Sequence, residues 1–384
     1  MAKVKMRCVF LLAAIGAVLN LCGCMAHTEL DKEAIIEAVG IDYENGEYKV
    51  TAQYFNTDSE GGSTMVNNTE PNVIVVAGKG KTVSDALEDA SYRSGKAFML
   101  GITGVCVIGN EAAKQDIKPL LSFATSNYQS NPKMYVTVAE KKAEEVINVK
   151  FKEGSASVDK LENILKNADK LGLCKPLRLF EIMKKLSQPT KSLVLPLFKV
   201  IDDEGGFTED DKNVCIDGGA LIHNGKYETS ISIKEMSGVQ FLSGEAKTAQ
   251  LTVTDNDEDV TVVLYNVRSD IEPTYKKGKL SFVIKLTADG KYANSNLSDP
   301  EEKSNRVARL CEKAVIERVN LAVEKTLKSR GADAFGLKHA ITSKEYYSWL
   351  KIEENYGELL KKGAYNVECK VTVRRFSAAH DKND

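Results

Sequence analysis

Histidine is scarce in this chain of 384 residues, and so is any imbalance of charge. The four histidines (His27, His223, His339 and His380) lie far apart in sequence, none within three or four residues of another. That spacing lends no support to a zinc site or a histidine-based triad. Lysine and arginine total 52 against 54 aspartates and glutamates, so electrostatic attraction to nucleic acid is not expected. There is no GxSxG elbow, no CxxC pair and no internal repeat. Beyond the first two dozen residues, no segment is apolar enough to span a membrane.

What is present begins at the N-terminus. Lys3, Lys5 and Arg7 precede Val9 to Leu21, which is apolar apart from Asn20. A spanning helix needs about 20 apolar residues to cross roughly 30 Å of hydrocarbon. The stretch is shorter than that and has the proportions of a cleavable signal segment. It closes on Leu21-Cys22-Gly23-Cys24, which resembles the lipobox of bacterial lipoproteins. The expected product is a chain cut before Cys24, residues 1–23 being the signal peptide, with a diacylglyceryl group on the Cys24 thiol. Two acyl chains matter, because one alone anchors only marginally. Cys106, Cys174, Cys215, Cys311 and Cys369 then remain. They are odd in number and scattered, and several sit in apolar runs, so they read as core residues rather than a disulfide framework.

Several segments imitate catalytic or binding motifs. Gly78-Lys79-Gly80-Lys81-Thr82 suggests a phosphate loop, but Val75 stands where that motif requires its first glycine. Asp255 to Asp259 opens like a calcium loop, yet Val260 and Asn266 occupy the positions of the obligatory Gly and Glu, so a solvated hairpin tip is expected. Ser130-Asn131-Pro132-Lys133 and Ser157-Val158-Asp159-Lys160 both fit SxxK, without a KTG box. A non-enzymatic protein without cofactor or metal is therefore expected.

The expected fold is mixed α/β and α+β: a multidomain lipoprotein with an α/β N-terminal region and a sheet-plus-long-helix C-terminal domain. Residues 24–201 make the first part. Asn45-Gly46 marks a hairpin, and strand-then-helix alternation follows, with a helix from Thr82 to Arg93 capped by Thr82 or Ser84 and a further helical segment from Glu111 to Ala124. Residues 155–190 read as helical, either within this region or as a subdomain. The acidic, glycine-containing stretch Asp202 to Asp211 marks the boundary. Residues 212–377 make the second part. A hairpin at His223-Asn224-Gly225 is followed by strands over Leu251 to Val267 and Leu280 to Thr287. A long helix then opens at Asp299-Pro300 and runs to about Ser329, ending at Gly331, and a second covers Glu345 to Lys362. Val367 to Arg374 alternates cleanly as a strand, and residues 378–384 form a polar tail.

Segments along nearly the whole chain resemble the Ger(x)C family, the lipoprotein C subunits of spore germinant receptors. Gly23-Cys24 with Glu29-Leu30 is similar to the family's opening, and Ala38-Val39-Gly40-Ile41-Asp42 with Tyr48 to Gln53 to its first strands. Gly80-Lys81-Thr82 with Ala86-Leu87, then Leu100-Gly101 and Val107 to Ala113, follow in the family's order. Gly218 to Ile222 with Gly225-Lys226, Asp333-Ala334-Phe335-Gly336, Trp349 and Arg374-Arg375 complete the series. Met25-Ala26 and Ile102 depart from the family's frequent Trp-Asp and His. The resemblance implies a subunit needed for nutrient-triggered germination. It would be held by Cys24 on the outer face of the spore inner membrane, with membrane-embedded A and transporter-like B subunits as partners. A solute-binding lipoprotein of a transporter is the alternative. Gly40, Gly80, Gly219 and Gly336 read as turn or packing residues, and Phe335 and Trp349 as aromatics of the core or of an interface.

Overall fold

The computed structural model describes residues 32–55, 73–126, 130–151, 157–202, 212–293 and 301–374. Strand β1 (Glu33–Glu44) sends Ile36, Val39 and Ile41 to one face of a sheet and Ala38 to the other. A bulge between Ile36 and Ala38 resets the alternation, which otherwise has a strict period of two. Asn45 and Gly46, both at positive φ, close the tight turn into β2 (Glu47–Phe55). β3 (Val73–Gly80) pairs antiparallel with β2. Helix α1 (Val83–Ser94) starts at Thr82, whose hydroxyl accepts from the Asp85 N–H while the Asp85 carboxylate accepts from the Thr82 N–H. This capping box satisfies two of the donors a helix start leaves open.

Parallel strands come next. β4 (Ala97–Met99) and β5 (Val105–Ile108) both run alongside β1. The short helix α2 (Asn110–Ala113) precedes β6 (Tyr135–Ala139), which pairs with β5. Helices α3 (Ala143–Ile147), α4 (Ser157–Lys170) and α5 (Leu179–Leu186) lead to β7 (Leu193–Asp202), parallel to β6. β8 (Lys212–His223) and β9 (Lys226–Ile231) finish the sheet antiparallel, giving the order β3-β2-β1-β5-β6-β7-β8-β9 with β4 on the side of β1. One face packs Ile36, Cys106, Val136 and Leu195 against α1, α2 and α5. The other packs Ala38, Val105, Val107 and Phe198 against α3 and α4. The helical stretch 155–190 therefore divides between opposite faces of one sheet.

Helix α6 (Ile233–Ser243) leads into a second, four-stranded sheet. Its strands are β10 (Thr248–Asp255), β11 (Glu258–Lys276), β12 (Lys279–Tyr292) and β13 (Ala364–Arg374), in that order. β12 and β13 are parallel. The long helix α7 (Glu301–Val323) covers this sheet with Val307, Cys311, Val315 and Val319, and continues through a π-turn to Gly331 at positive φ. Its expected cap at Asp299-Pro300 lies outside the described residues. Three short helices follow: α8 (Leu337–Lys344), α9 (Tyr346–Ile352) and α10 (Tyr356–Lys361).

The tip expected at Asp255 to Asp259 turns the Leu251 to Val267 segment into a hairpin, with Asn256 and Asp257 both at positive φ. Three features differ from the sequence reading. The helix expected from Glu345 to Lys362 is interrupted by a 3-10 turn at Glu353–Asn355. The helical segment 111–124 is broken into short turns around the Asp116 cap. Strand pairing also crosses the acidic stretch: β7 and β8, on its two sides, pair from Leu193↔Ile222 to Asp202↔Lys212. That stretch separates segments of sequence, whereas the change of sheet falls at α6.

Gly78 lies in β3 where α1 passes, and a Cβ there would collide with the Ala86 carbonyl and the Ala90 N–H. Backbone cannot give way as a side-chain tip can. Gly78→Val should therefore cost more than about 3 kcal/mol, the upper range for overpacking. Equilibrium denaturation checks this, and a loss under about 1 kcal/mol would show that α1 is free to shift.

Candidate functional site

Cys24, the expected lipidation site, lies outside the described residues, as do His27 and His380. The phosphate-loop lookalike is packing chemistry. Gly80, like Gly78, faces α1, and a Cβ on it would lie 2.5 Å from Asp85 Cβ and 2.6 Å from Ala86 N. The Lys79 N–H is already spent on the Asp89 carboxylate at 2.8 Å. The calcium-loop lookalike is a hairpin tip whose Asp255, buried, is gripped by Arg306 Nε and Nη2, both at 3.2 Å. Of the two SxxK segments, Ser130 to Lys133 forms a turn in which Asn131 Oδ1 accepts from the Lys133 N–H at 2.9 Å. Ser157 stands at the first residue of α4.

Buried nucleophiles are protonated or misdirected. Burial pushes the thiols of Cys106, Cys174, Cys311 and Cys369 up to about 12. Ser192 Oγ lies 2.9 Å from His223 Nδ1, a pairing that sequence spacing does not reveal. The same hydroxyl donates its proton to the Thr190 carbonyl at 2.7 Å. It has one proton, so it must accept from Nδ1–H, and His223 is not placed to act as its base. Burial lowers the His223 pKa further, keeping the ring neutral. Among the described residues, no cluster of three or more His, Cys, Asp or Glu is arranged to hold a metal.

The quoted motifs fasten helices to sheets. Gly40, in mid-β1, lets α3 approach: a Cβ there would meet Ile147 Cγ1 at 3.0 Å and Ala143 Cβ at 3.2 Å. Two residues on, Asp42 accepts from the N–H groups of Ala143 (2.8 Å) and Glu144 (2.9 Å), supplying the cap that Lys142 does not. Burial raises the Asp42 pKa against the lowering effect of those two N–H groups, with the charges of Glu144 and Glu44 adding to the rise. In the second half, Asp333 is buried and takes five hydrogen bonds. Its Oδ1 accepts from the N–H groups of Phe335 (3.2 Å), Gly336 (3.0 Å) and Leu337 (3.0 Å). Its Oδ2 accepts from the Lys338 N–H (2.7 Å) and the Tyr356 hydroxyl (2.9 Å). Gly336 sits at φ 87°, a left-handed conformation that favours glycine, and this starts α8. Phe335 and Trp349 are both buried, and Trp349 meets Tyr356 edge-on with centroids 5.1 Å apart. They are core aromatics.

A cleft of about 520 Å³ opens between α5 and α8. Phe180, Lys184 and Lys185 line one wall, and Lys338 and His339 the other. Lys338 Nζ rests 4.9 Å from the Trp349 ring centroid. These walls offer cations, the Glu181 carboxylate and an exposed aromatic, and Ser192, whose proton is committed to the Thr190 carbonyl, also lines the cleft.

Fold and site together define a class: a two-sheet chain of mixed α/β architecture whose recurring motifs are structural fasteners. Residues 26–200 match the family described as spore germination protein N-terminal domain, and residues 217–377 the one described as spore germination B3/GerAC like, C-terminal. Spore germination protein KC of Bacillus subtilis (strain 168) is 23% identical over 398 aligned positions, spanning 96% of each chain. Among solved structures, the crystal structure of the GerBC protein superposes with a TM-score of 0.57 at 18% identity, covering 87% of this chain and 96% of that one. The chain belongs to the GerAC-like (GerC-type) family of spore germination proteins.

Two predictions follow from the buried carboxylates. Asp333→Ala strands several donors at once and should cost about 3 kcal/mol or more, with Asp333→Asn intermediate and Tyr356→Phe near 1 kcal/mol. Denaturation midpoints rank the three, and an Ala variant no worse than Tyr356→Phe would refute the fastening role. Asp42, with its folded pKa raised, binds its proton in the native state before the unfolded state does. Its contribution to stability therefore grows as pH falls through the folded pKa and is smallest at neutral pH. Melting curves of wild type and Asp42→Asn between neutral and mildly acidic pH should show the wild type gaining on the variant as pH falls. A constant difference would remove the burial argument.

Proposed function

We propose that the chain is a lipid-anchored, non-enzymatic subunit of a spore germinant receptor complex, needed for nutrient-triggered germination. The observation that carries this reading is the match to both GerAC-like domain families in order along the chain, with a spore germination relative aligned end to end. In this reading Cys24 carries the lipid and holds the folded part on the outer face of the spore inner membrane. Membrane-embedded A and transporter-like B subunits are its partners. Confinement to two dimensions raises its effective concentration beside them. The protonated buried thiols and the Ser192–His223 pair, with its proton directed away from the ring, support a role in assembly and signal relay rather than catalysis. A solute-binding lipoprotein would close two similar lobes on its ligand. The two sheets here differ in strand number and order, which favours the receptor reading.

Cys24→Ala in a sporulating host lacking other nutrient receptors tests it. The variant should leave the membrane fraction. Germination with nutrient should slow by about 100-fold, the scale on which cutting a tether lowers effective concentration. Retention on the membrane would overturn the anchor. Release with unchanged germination would overturn the receptor role.

A further inference from the structure

The turn between β11 and β12 carries Lys276, Lys277 and Lys279, all exposed and, among the described residues, without an ion-pair partner. Lys277 holds φ 51°, a left-handed conformation that tight hairpins normally give to Asn, Asp or Gly. A lysine here accepts backbone strain and repulsion from its neighbours, and no contact within the described residues compensates it. Beside the turn stands α9. The Tyr275 N–H donates to Glu345 Oε2 at 3.4 Å, so Lys276 and Tyr346 are the next residues out from one contact. Tyr346, Tyr347 and Leu350 expose 55%, 81% and 55% of their surface, while Trp349 between them is buried. Lys351 and Lys362 are exposed as well, and Lys362 precedes the β13 pairing by two residues, as Lys279 does on β12. Glu345, Glu353 and Glu354 are the opposing charges on this end, against Lys276, Lys277, Lys279, Lys351 and Lys362, which leaves it net positive.

We infer that this lysine tip and the exposed face of α9 dock on an anionic lipid surface. The inference rests on the lipid-anchored reading above and adds a second, electrostatic attachment to it. Three arguments favour lipid over an acidic protein. The charges are lysines at a turn tip, point charges on flexible stems, suited to a diffuse layer of headgroups rather than a fixed carboxylate pair. Tyrosines flank them, and tyrosine is the residue type that settles at the headgroup level with its ring in the acyl boundary. The chain before Lys32 also limits where the membrane lies: Lys32 is eight residue steps from Cys24, a reach of about 30 Å at full extension. A series of contacts leads from that point to the patch. β1 begins against Ala97, Asn131 N–H meets the Leu100 carbonyl, and Phe180 N–H meets the Pro132 carbonyl at the start of α5. α5 then faces α8 across the cleft, and α8 ends at Lys344, next to Glu345. Two acyl chains on Cys24 already anchor the chain stably, so the patch fixes how the folded part lies on the surface rather than whether it is attached.

The test uses residues 24–384 with Cys24→Ser, which keep every described element and carry no lipid. Its outcome is thus independent of whether Cys24 is modified. Flotation with vesicles of phosphatidylcholine alone is compared with phosphatidylcholine mixed with phosphatidylglycerol, at low and high salt. Binding should require the anionic lipid and weaken with salt. The triple variant Lys276→Glu, Lys277→Glu, Lys279→Glu should lower partitioning by about 100-fold. Tyr346→Ser with Tyr347→Ser should lower it by about tenfold. Unchanged melting temperatures confirm that both variants fold. Absent binding, equal binding to both vesicles, or an unaffected lysine variant would overturn the inference. A germination defect of the lysine variant without vesicle binding would assign the tip to an acidic protein surface instead.

Discussion

A strand that is parallel to its neighbours and apolar on both sides cannot face water on either, and the first half of this chain is organised by that constraint. β5 and β6 are such strands, and β5 presents buried side chains in both directions: Cys106 and Ile108 to one face, Val105 and Val107 to the other. Each parallel connection must cross over the sheet, so each crossover is also the opportunity to cover a face. α3 is only five residues long and could not hold itself helical in water. It is held because Gly40 leaves room for it and Asp42 caps it from β1, about a hundred residues earlier in the chain. The carboxylate accepts a cost in desolvation to do so, visible in its raised pKa.

The second half is joined to the first by burial rather than by a linker. α6 has no polar side over most of its length, since every residue from Met236 to Leu242 is buried. It lies between the far end of the larger sheet, where Leu221 and Ile231 reach it, and α7. The crossing with α7 is close enough that a Cβ on Gly238 would strike the Arg318 carbonyl. Arg318 Nη1 donates to Ser237 Oγ at 3.1 Å across the same contact. One hydrophobic cluster consequently runs from Val194 and Leu221 through α6 to Phe282 and Trp349.

The local signals in the sequence translated into structure where a single turn of chain decides the outcome. Asn45-Gly46 and Asn224-Gly225 are hairpins, Thr82 caps α1, and the long apolar stripe after residue 300 is α7. The misses are equally physical. α6 was invisible because a helix buried all round lacks the amphipathic period that announces one. The polar run Asp255 to Asp259 announced the β10–β11 tip, whereas Lys277 occupies a turn position that sequence rules give to other residues, so the β11–β12 break was not marked. The parallel pairing of β12 with β13 bridges some seventy residues and leaves no local trace. Of the candidate site, the roles of Phe335, Trp349 and the glycines were legible as core and packing. The Ser192–His223 contact, the α5–α8 cleft and the five bonds of Asp333 were not, because each is assembled from segments distant in sequence.

The segments that carry the family resemblance, then, are the ones that fasten the fold. Gly40 and Asp42 seat α3, Gly80 and Thr82 seat α1, and Asp333 and Gly336 start α8. Motifs of this kind identify an architecture and are silent about ligands, because a buried carboxylate with all its acceptor sites filled has nothing left to offer a partner. What distinguishes one member's task from another's must be sought on exposed side chains: those of the cleft between α5 and α8, part of whose lining is the Asp333–Gly336 motif itself, and those of the lysine turn beside α9. Such side chains contribute little to stability and so are free to vary with the partner. In such a chain the fold is written in glycines and buried aspartates, and recognition is left to the surface that they hold in place.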